Sequence, residues 1–254
     1  MQWRDDFWCK APFNNLAHLH LATLNDWPSC AFLNAQGNLP IAFIEQAKVA
    51  EDLGYYEEII YEHKLVPTRE HSWHDLFNAC IWLNFPQSKA LLNQQHIEDI
   101  RQFGLNPRTP RRNRITHFDE CGVILAYSQS DIPMQLREHQ WQKSFVEQRQ
   151  QWGTNIEALI FGHANYEMLL QPYIGLTAKF IAIEVADDYW QSDLAARYEL
   201  LDNALVALIK QDCFAHKGIM SPLPLLGVPG WWPENEFAEF YDNRGYFMPK
   251  RQSF

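Results

Sequence analysis

The sequence is poor in the features that staple a chain covalently or carry it through a membrane. Cysteine is scarce and odd in number: Cys9, Cys30, Cys80, Cys121 and Cys213 are scattered over 254 residues with no CxxC spacing. That pattern gives no signature of a zinc ribbon or a thioredoxin-type motif. Scattered thiols suit a reducing compartment, and each is expected as a small buried hydrophobe. Long apolar runs are missing too. A spanning helix needs about 18 consecutive apolar residues, and the apolar stretch Ala178–Ala186 is already broken by Lys179 and Glu184. The first six residues carry Asp5 and Asp6 where a secretory signal would be basic and then apolar. These absences predict a cytoplasmic protein with no membrane span. Positive charge is short as well: 21 Lys and Arg stand against 31 Asp and Glu, for a net charge of -10. A dedicated nucleic-acid partner is therefore disfavoured, because phosphate contacts need a positive face. With only 11 glycines, the chain has no GxxxxGK[ST] or GxGxxG loop to cradle a nucleotide and no GxSxG nucleophile elbow.

What is present reads as globular. Hydrophobic residues make up 47% and charged residues 20%, an ordinary balance for a folded domain. The length suits one large domain or two small ones, and neither repeats nor a linker divide it. Residues 1–40 read as irregular, with a short helix near Leu16–Leu24. Pro40 and Gly54 bracket a predicted helix over Ile41–Leu53. Tyr56–Glu62 alternates like a short strand, and Pro67 and Thr68 read as a turn. Ser72 is a plausible N-cap for a helix through Leu83, and Ser88 for another over Lys89–Phe103. Gly122–Tyr127 reads as a buried strand, Met134–Trp152 as a polar helix and Ile156–Phe161 as a strand. A helix over His163–Leu170, a strand over Leu176–Val185 and a long helix over Tyr189–Asp212 follow. Strands and helices mix without a βαβ rhythm. The expectation is a single compact α+β domain over 1–254, helix-rich, with a small mixed sheet.

Aromatic residues reach 14%, with ten tryptophans. The run Leu223–Pro233 contains Trp231 and Trp232, cannot be helical, and reads either as plain packing or as a pocket wall. Three polar clusters adjoin apolar segments. In the first, His74 and Asn78 share a helix face at i and i+4 while Asp75 points away. The second is Thr116–Gly122, with Asp119 and Glu120 beside a buried strand, where unpaired acids are costly. In the third, His163 and Glu167 stand at i and i+4 at the start of a short helix, a sound two-ligand half-site that is not HExxH. A helix N-terminus also favours the neutral imidazole at His163. Each cluster has a bland reading as a locally satisfied polar group. The basic stretch Asn106–Arg114 reads as a solvated loop or an anion-binding loop.

The strings Trp73–Ala79, Phe118–Gly122, Phe161–Ala164 and Pro224–Trp232, with Phe240–Asp242 and Phe247–Pro249 in the tail, resemble a bacterial family catalogued as domain of unknown function 3025. The resemblance covers about residues 55–254. It departs at Cys121, where the family pattern often has Asn, and at His117, where it has an apolar residue, so neither is expected to carry chemistry. The resemblance implies no reaction.

Two functional readings follow. The first is a binding or interaction protein for a small molecule or a protein partner, whose His/acid cluster sits in an aromatic-walled pocket. The alternative is a metal-dependent hydrolase holding a divalent ion such as zinc or manganese. In that reading His74, Asp119, His163 and Glu167 are the metal ligands, Glu120 and Asp75 the acid/base groups, and Arg69, Trp73, Arg112, Trp231 and Trp232 the substrate contacts. Both readings require these distant segments to meet.

Overall fold

The structure, a computed structural model, describes residues 3–4, 6–50 and 53–251. After two 3-10 turns at Phe13–Leu19 and Leu21–Thr23, the chain forms α1 (Cys30–Asn34), β1 (Ala42–Glu45), the single turn α2 (Tyr56–Glu58) and β2 (Leu65–Thr68). The long helices α3 (Trp73–Asn84), α4 (Pro86–Phe103) and α5 (Pro110–Cys121) follow and run into β3 (Gly122–Tyr127). Then come α6 (Ile132–Arg137), β4 (Ile156–Ile160), α7 (His163–Leu169), β5 (Thr177–Glu184), α8 (Leu194–Lys210) and β6 (Ser221–Pro224). β1 and β2 pair in parallel, and the main sheet has the order β4-β3-β5-β6, with β3 antiparallel to β4 and parallel to β5. This is an α+β fold with a small mixed sheet.

Local chemistry explains the helix starts. The Ser72 hydroxyl accepts from the Asp75 amide at 3.3 Å, Thr109 from Arg112 at 3.1 Å and Asp193 from Ala196 at 2.9 Å, each satisfying a free amide of a first turn. α4 has no cap of its own. Pro86 opens it, and Asp202 of α8 reaches across to accept from the Gln87 and Ser88 amides at 3.0 and 2.9 Å. Ser88 is thus inside the helix and buried, not its cap.

The core is centred on β3, whose residues Val123–Ala126 are wholly buried, and α3, packed on α7, α4 and α8, is largely buried itself. Trp73 belongs to this core. It stacks on Trp3 at 5.2 Å and Phe77 at 5.7 Å, and meets Trp27 at 4.5 Å. The run Leu223–Pro233 is also packing. Leu223, Leu225 and Leu226 are fully buried, Asn235 donates to the Leu226 and Val228 carbonyls, and Trp231 and Trp232 lie half-buried against the core.

Several sequence expectations are corrected. The segment read as a helix over Ile41–Leu53 is β1 followed by a 3-10 turn as far as Lys48, with residues 51 and 52 outside the described set. The Tyr56–Glu62 alternation is helical, and the expected turn at Pro67 and Thr68 is the end of β2. The acids of the second cluster, expected at the edge of the buried strand, lie on the last turn of α5 just before it, and α5 also takes in most of the basic stretch. The helix expected over Met134–Trp152 is interrupted near His139, whose φ is 55°.

Candidate metal centre

Strand register assembles the first half of the site. α5 ends where β3 begins, and α7 begins just beyond the end of β4. Because Val123 pairs with Ile160, the start of β3 lies beside the end of β4. The Phe161 and Gly162 amides both donate to the Gly122 carbonyl, at 3.0 and 2.8 Å. Glu120 on the last turn of α5 is thereby set against His163 on the first turn of α7. α3 packs along α7 and carries His74 to the same point.

The two imidazoles meet in a T-shaped arrangement, ring centroids 4.4 Å apart, with His74 Nε2 lying 3.0 Å from His163 Nε2. Glu120 Oε2 is 3.4 Å from His163 Nε2, and one donor atom from each of His74, Glu120 and His163 lies within 4.8 Å of the others. On the far side of its ring, His74 Nδ1 is 2.8 Å from Glu167 Oε2. An ionised carboxylate only accepts, so Nδ1 carries the hydrogen and Nε2 of the neutral ring keeps its lone pair, aimed at His163. Burial lowers the His163 imidazole to about 3, against the opposing pull of the Asp119 carboxylate, so this ring is neutral at ordinary pH. Burial, reinforced by neighbouring Asp119, raises the Glu120 carboxyl.

A second network lies beneath. Lys89 of α4 is buried and donates to Asp119 and, at 3.1 Å, to Asn78 Oδ1. An ammonium only donates, which fixes the Asn78 amide: its Nδ2 then donates to the Tyr56 hydroxyl at 3.1 Å. The Tyr56 oxygen is therefore an acceptor, with its own hydrogen free. Burial pushes the Asp119 carboxyl up, but Lys89 and His163 bring it net below the usual carboxylate range. Burial raises the Asp75 carboxyl too, and its hydrogen bonds from Arg69 outweigh that effect and leave it lowered. Arg69 grips Asp75 through two guanidinium nitrogens at 3.0 and 2.8 Å and its own amide at 2.7 Å.

These groups open onto a cavity of about 340 Å³, lined by His74, Glu120, His163 and Asp119 together with Arg69, Asp75, Tyr56, His96 and Arg108. The expected residues divide accordingly. His74, Glu120 and His163 present atoms to one point. Glu167 serves His74 from behind, Asp119 is held by Lys89, and Asp75 by Arg69. Trp73, Arg112, Trp231 and Trp232 are not among the lining residues. The wall is polar rather than aromatic, because Trp73 and the Trp231–Trp232 pair are used in packing. Arg112 is fully buried, donating to the Leu105 carbonyl at 2.8 Å. Lys89, His96 and Tyr56 were missed as site residues. Lys89 and His96, with Asn93, stand at helical spacing along α4, but only the fold shows that this face is buried; Tyr56 carried no signal in the sequence.

The donor set fits a divalent ion. Ligands at about 2.0–2.1 Å from a tetrahedral centre lie about 3.3 Å apart; two of the three donor separations, 3.0 and 3.4 Å, are close to that, and the third, between His74 and Glu120, falls within 4.8 Å. Two imidazoles and a carboxylate, one imidazole backed by a second carboxylate, suit zinc and also manganese.

Fold and site together define an α+β protein with a His/Glu/His cluster in a polar cavity. Residues 41–251 match the family described as Protein of unknown function (DUF3025), and the chain belongs to that family. No curated protein and no solved structure matches the chain. Among the described residues no helix is long and apolar enough to cross a membrane.

Proposed function

We propose that the chain is a metal-dependent hydrolase that holds one divalent ion through His74 Nε2, His163 Nε2 and Glu120. The observation that supports this reading is the convergence of His74 Nε2, His163 Nε2 and Glu120 on one point, with the His74 ring oriented by Glu167. At 3.0 Å a neutral His163 that carries its hydrogen on Nε2 would also donate to His74 Nε2; what supports an ion is that Glu120 converges on the same two nitrogens beside an open cavity. Three protein ligands and an adjoining cavity leave a position open for water and substrate, as in catalytic zinc centres. The ion, when bound, supplies Lewis acidity towards water and a substrate oxygen.

The chain's own residues do the rest. Glu167 holds the His74 tautomer. Asp75 positions Arg69 at the cavity mouth. Lys89 keeps Asp119 ionised beside the centre and, through Asn78, turns the Tyr56 hydroxyl hydrogen away from Asn78. Tyr56 stays protonated, since burial raises its phenol, and so offers a hydrogen-bond donor to a bound oxygen.

The test is hydrolysis of ester, amide and phosphoester probes by the purified chain. Turnover of one probe class, lost on chelation and restored by zinc or manganese, is expected. A chain that carries the ion yet hydrolyses none of the probes would be a binding protein instead.

A further inference from the structure

The metal reading leaves open what the cavity receives, and the inference drawn here rests on that reading. The cations around the cavity differ in how far they are committed. Arg69 is gripped by Asp75, and Lys89 by Asp119. Arg112 is buried behind the lining, and its charge and that of Arg108 both act on the Glu57 carboxyl without an ion-pair contact. Arg108 is different. It lines the cavity, it is exposed, and its guanidinium meets only hydroxyls: Tyr55 at 3.4 Å and Thr116 at 3.5 Å. Among the described residues no carboxylate is in ion-pair contact with it.

The charge balance sets a condition. The acids at or beside the cavity are Glu57, Asp75, Asp119, Glu120 and Glu167, and the bases are Arg69, Lys89, Arg108 and Arg112. Acids exceed bases by one in formal charge, and a divalent ion at His74, Glu120 and His163 makes that balance positive. Hydroxyl donors complete the picture. Thr116 lies one helical turn before Glu120 on the same face of α5, and the Tyr56 hydrogen is free. Donors therefore stand at three places around one cavity: the ion, Arg108 and the hydroxyls. A carboxylate has two oxygens to offer and a phosphoryl group three, and a guanidinium fork suits phosphate. A volume of about 340 Å³ is at the small end of ligand pockets, which restricts the rest of the molecule.

We infer that the cavity recognises the phosphoryl group of a compact phosphoester, held between the metal ion and Arg108 with Thr116 and Tyr56 completing its oxygens. Hydrolysis of such an ester adds one water: its oxygen bonds to phosphorus, the P–O bond to the alcohol breaks, and the departing oxygen takes one water proton, while the other stays on the phosphate released from a monoester or passes to solvent when a diester is cleaved.

The experiment is calorimetric titration of the zinc- or manganese-loaded chain with methyl phosphate, dimethyl phosphate and acetate, with metal content measured in parallel. Both phosphate probes or one of them should bind more tightly than acetate, and the metal-free chain should bind neither. The tighter of the two identifies a monoester or a diester as the substrate form. Arg108→Ala should weaken phosphate binding by about tenfold or more with its metal content unchanged, and Tyr56→Phe by less. Acetate binding as tightly as phosphate, or Arg108→Ala binding phosphate like the parent, would overturn the inference. A chain that takes up no ion would overturn the metal reading beneath it, so the two failures are distinguishable.

Discussion

At the scale of single residues, the site depends on hydrogen-bond polarity more than on distance. Glu167 touches no atom that would touch the ion, yet it decides which nitrogen of His74 is free. Glu167→Gln leaves the three donors of His74, Glu120 and His163 in place and lets the ring adopt either tautomer. Its metal affinity should fall about 10–100-fold with the circular dichroism spectrum unchanged; an unaltered affinity would remove Glu167 from the site. The Lys89–Asn78–Tyr56 chain works in the same way, each donor forcing the orientation of the next. These roles were only half legible in the sequence. His74, Glu120, His163 and Glu167 stand out as polar residues beside apolar segments, and the i, i+4 spacing of His163 and Glu167 is real. That spacing suggests both residues ligate together. In the folded chain His163 faces Glu120, and Glu167 turns to His74, because α3 packs on α7 and supplies a partner that no local pattern can show. Lys89 and His96 look like ordinary helix residues until α4 is seen to bury them.

At the scale of elements, the position of Glu120 against His163 rests on how closely α5 and α7 approach. A Cβ on Gly162 would lie 2.3 Å from the Gly122 amide nitrogen and 2.4 Å from the Cys121 nitrogen and the Glu120 carbonyl oxygen. These are backbone atoms and cannot turn aside. Gly162→Ala must therefore push α7 from α5, at about 2–3 kcal/mol, and carry His163 away from Glu120. Both the urea midpoint and the metal affinity should drop. Gly37→Ala is the control, since a Cβ there meets nothing within 4 Å, and its stability should stay within about 0.5 kcal/mol; equal effects at both glycines would contradict the account. Elements with a strong local signal were readable: Ser72 caps α3 as its sequence suggests, and the apolar run Gly122–Tyr127 is the central strand. Elements decided by distant partners were not. Ala42–Glu45 is a strand because Leu65–Thr68 pairs with it, and over four residues neither a helical nor a strand period is distinctive. The long helix expected from Tyr189 begins at Leu194, where the Asp193 cap sets its start.

For the whole molecule, burying neutral histidines links stability to pH. Burial lowers the His96 imidazole to about 4, whereas the unfolded chain takes up the same proton near pH 6.5. The unfolded state therefore binds more protons between these values, and the contribution of His96 is present above about pH 6.5 and lost as pH falls towards 4. Comparison with His96→Gln isolates this from the carboxylates whose shifts run the other way. Between pH 7.5 and 5.5 the parent should lose about 1.4 kcal/mol more than the variant in urea unfolding, and parallel losses would show that His96 is protonated in the folded chain. The α+β class and the mixed sheet were legible from the unpatterned alternation of helices and strands. The aromatic wall was not a wall: tryptophans that look like pocket furniture in the sequence are consumed by the core, where Trp3, Trp27 and Trp73 fasten the N-terminal segment to α3.

The central claim, that side chains from α3, α5 and α7 form one metal centre, is tested most directly by metal content. The purified untagged chain, dialysed against zinc or manganese and then against buffer, should retain one ion per chain. His74→Ala and His163→Ala should each retain none while keeping the parent's circular dichroism spectrum. Absence of any bound ion in the parent, or an undiminished complement in both variants, would contradict the account.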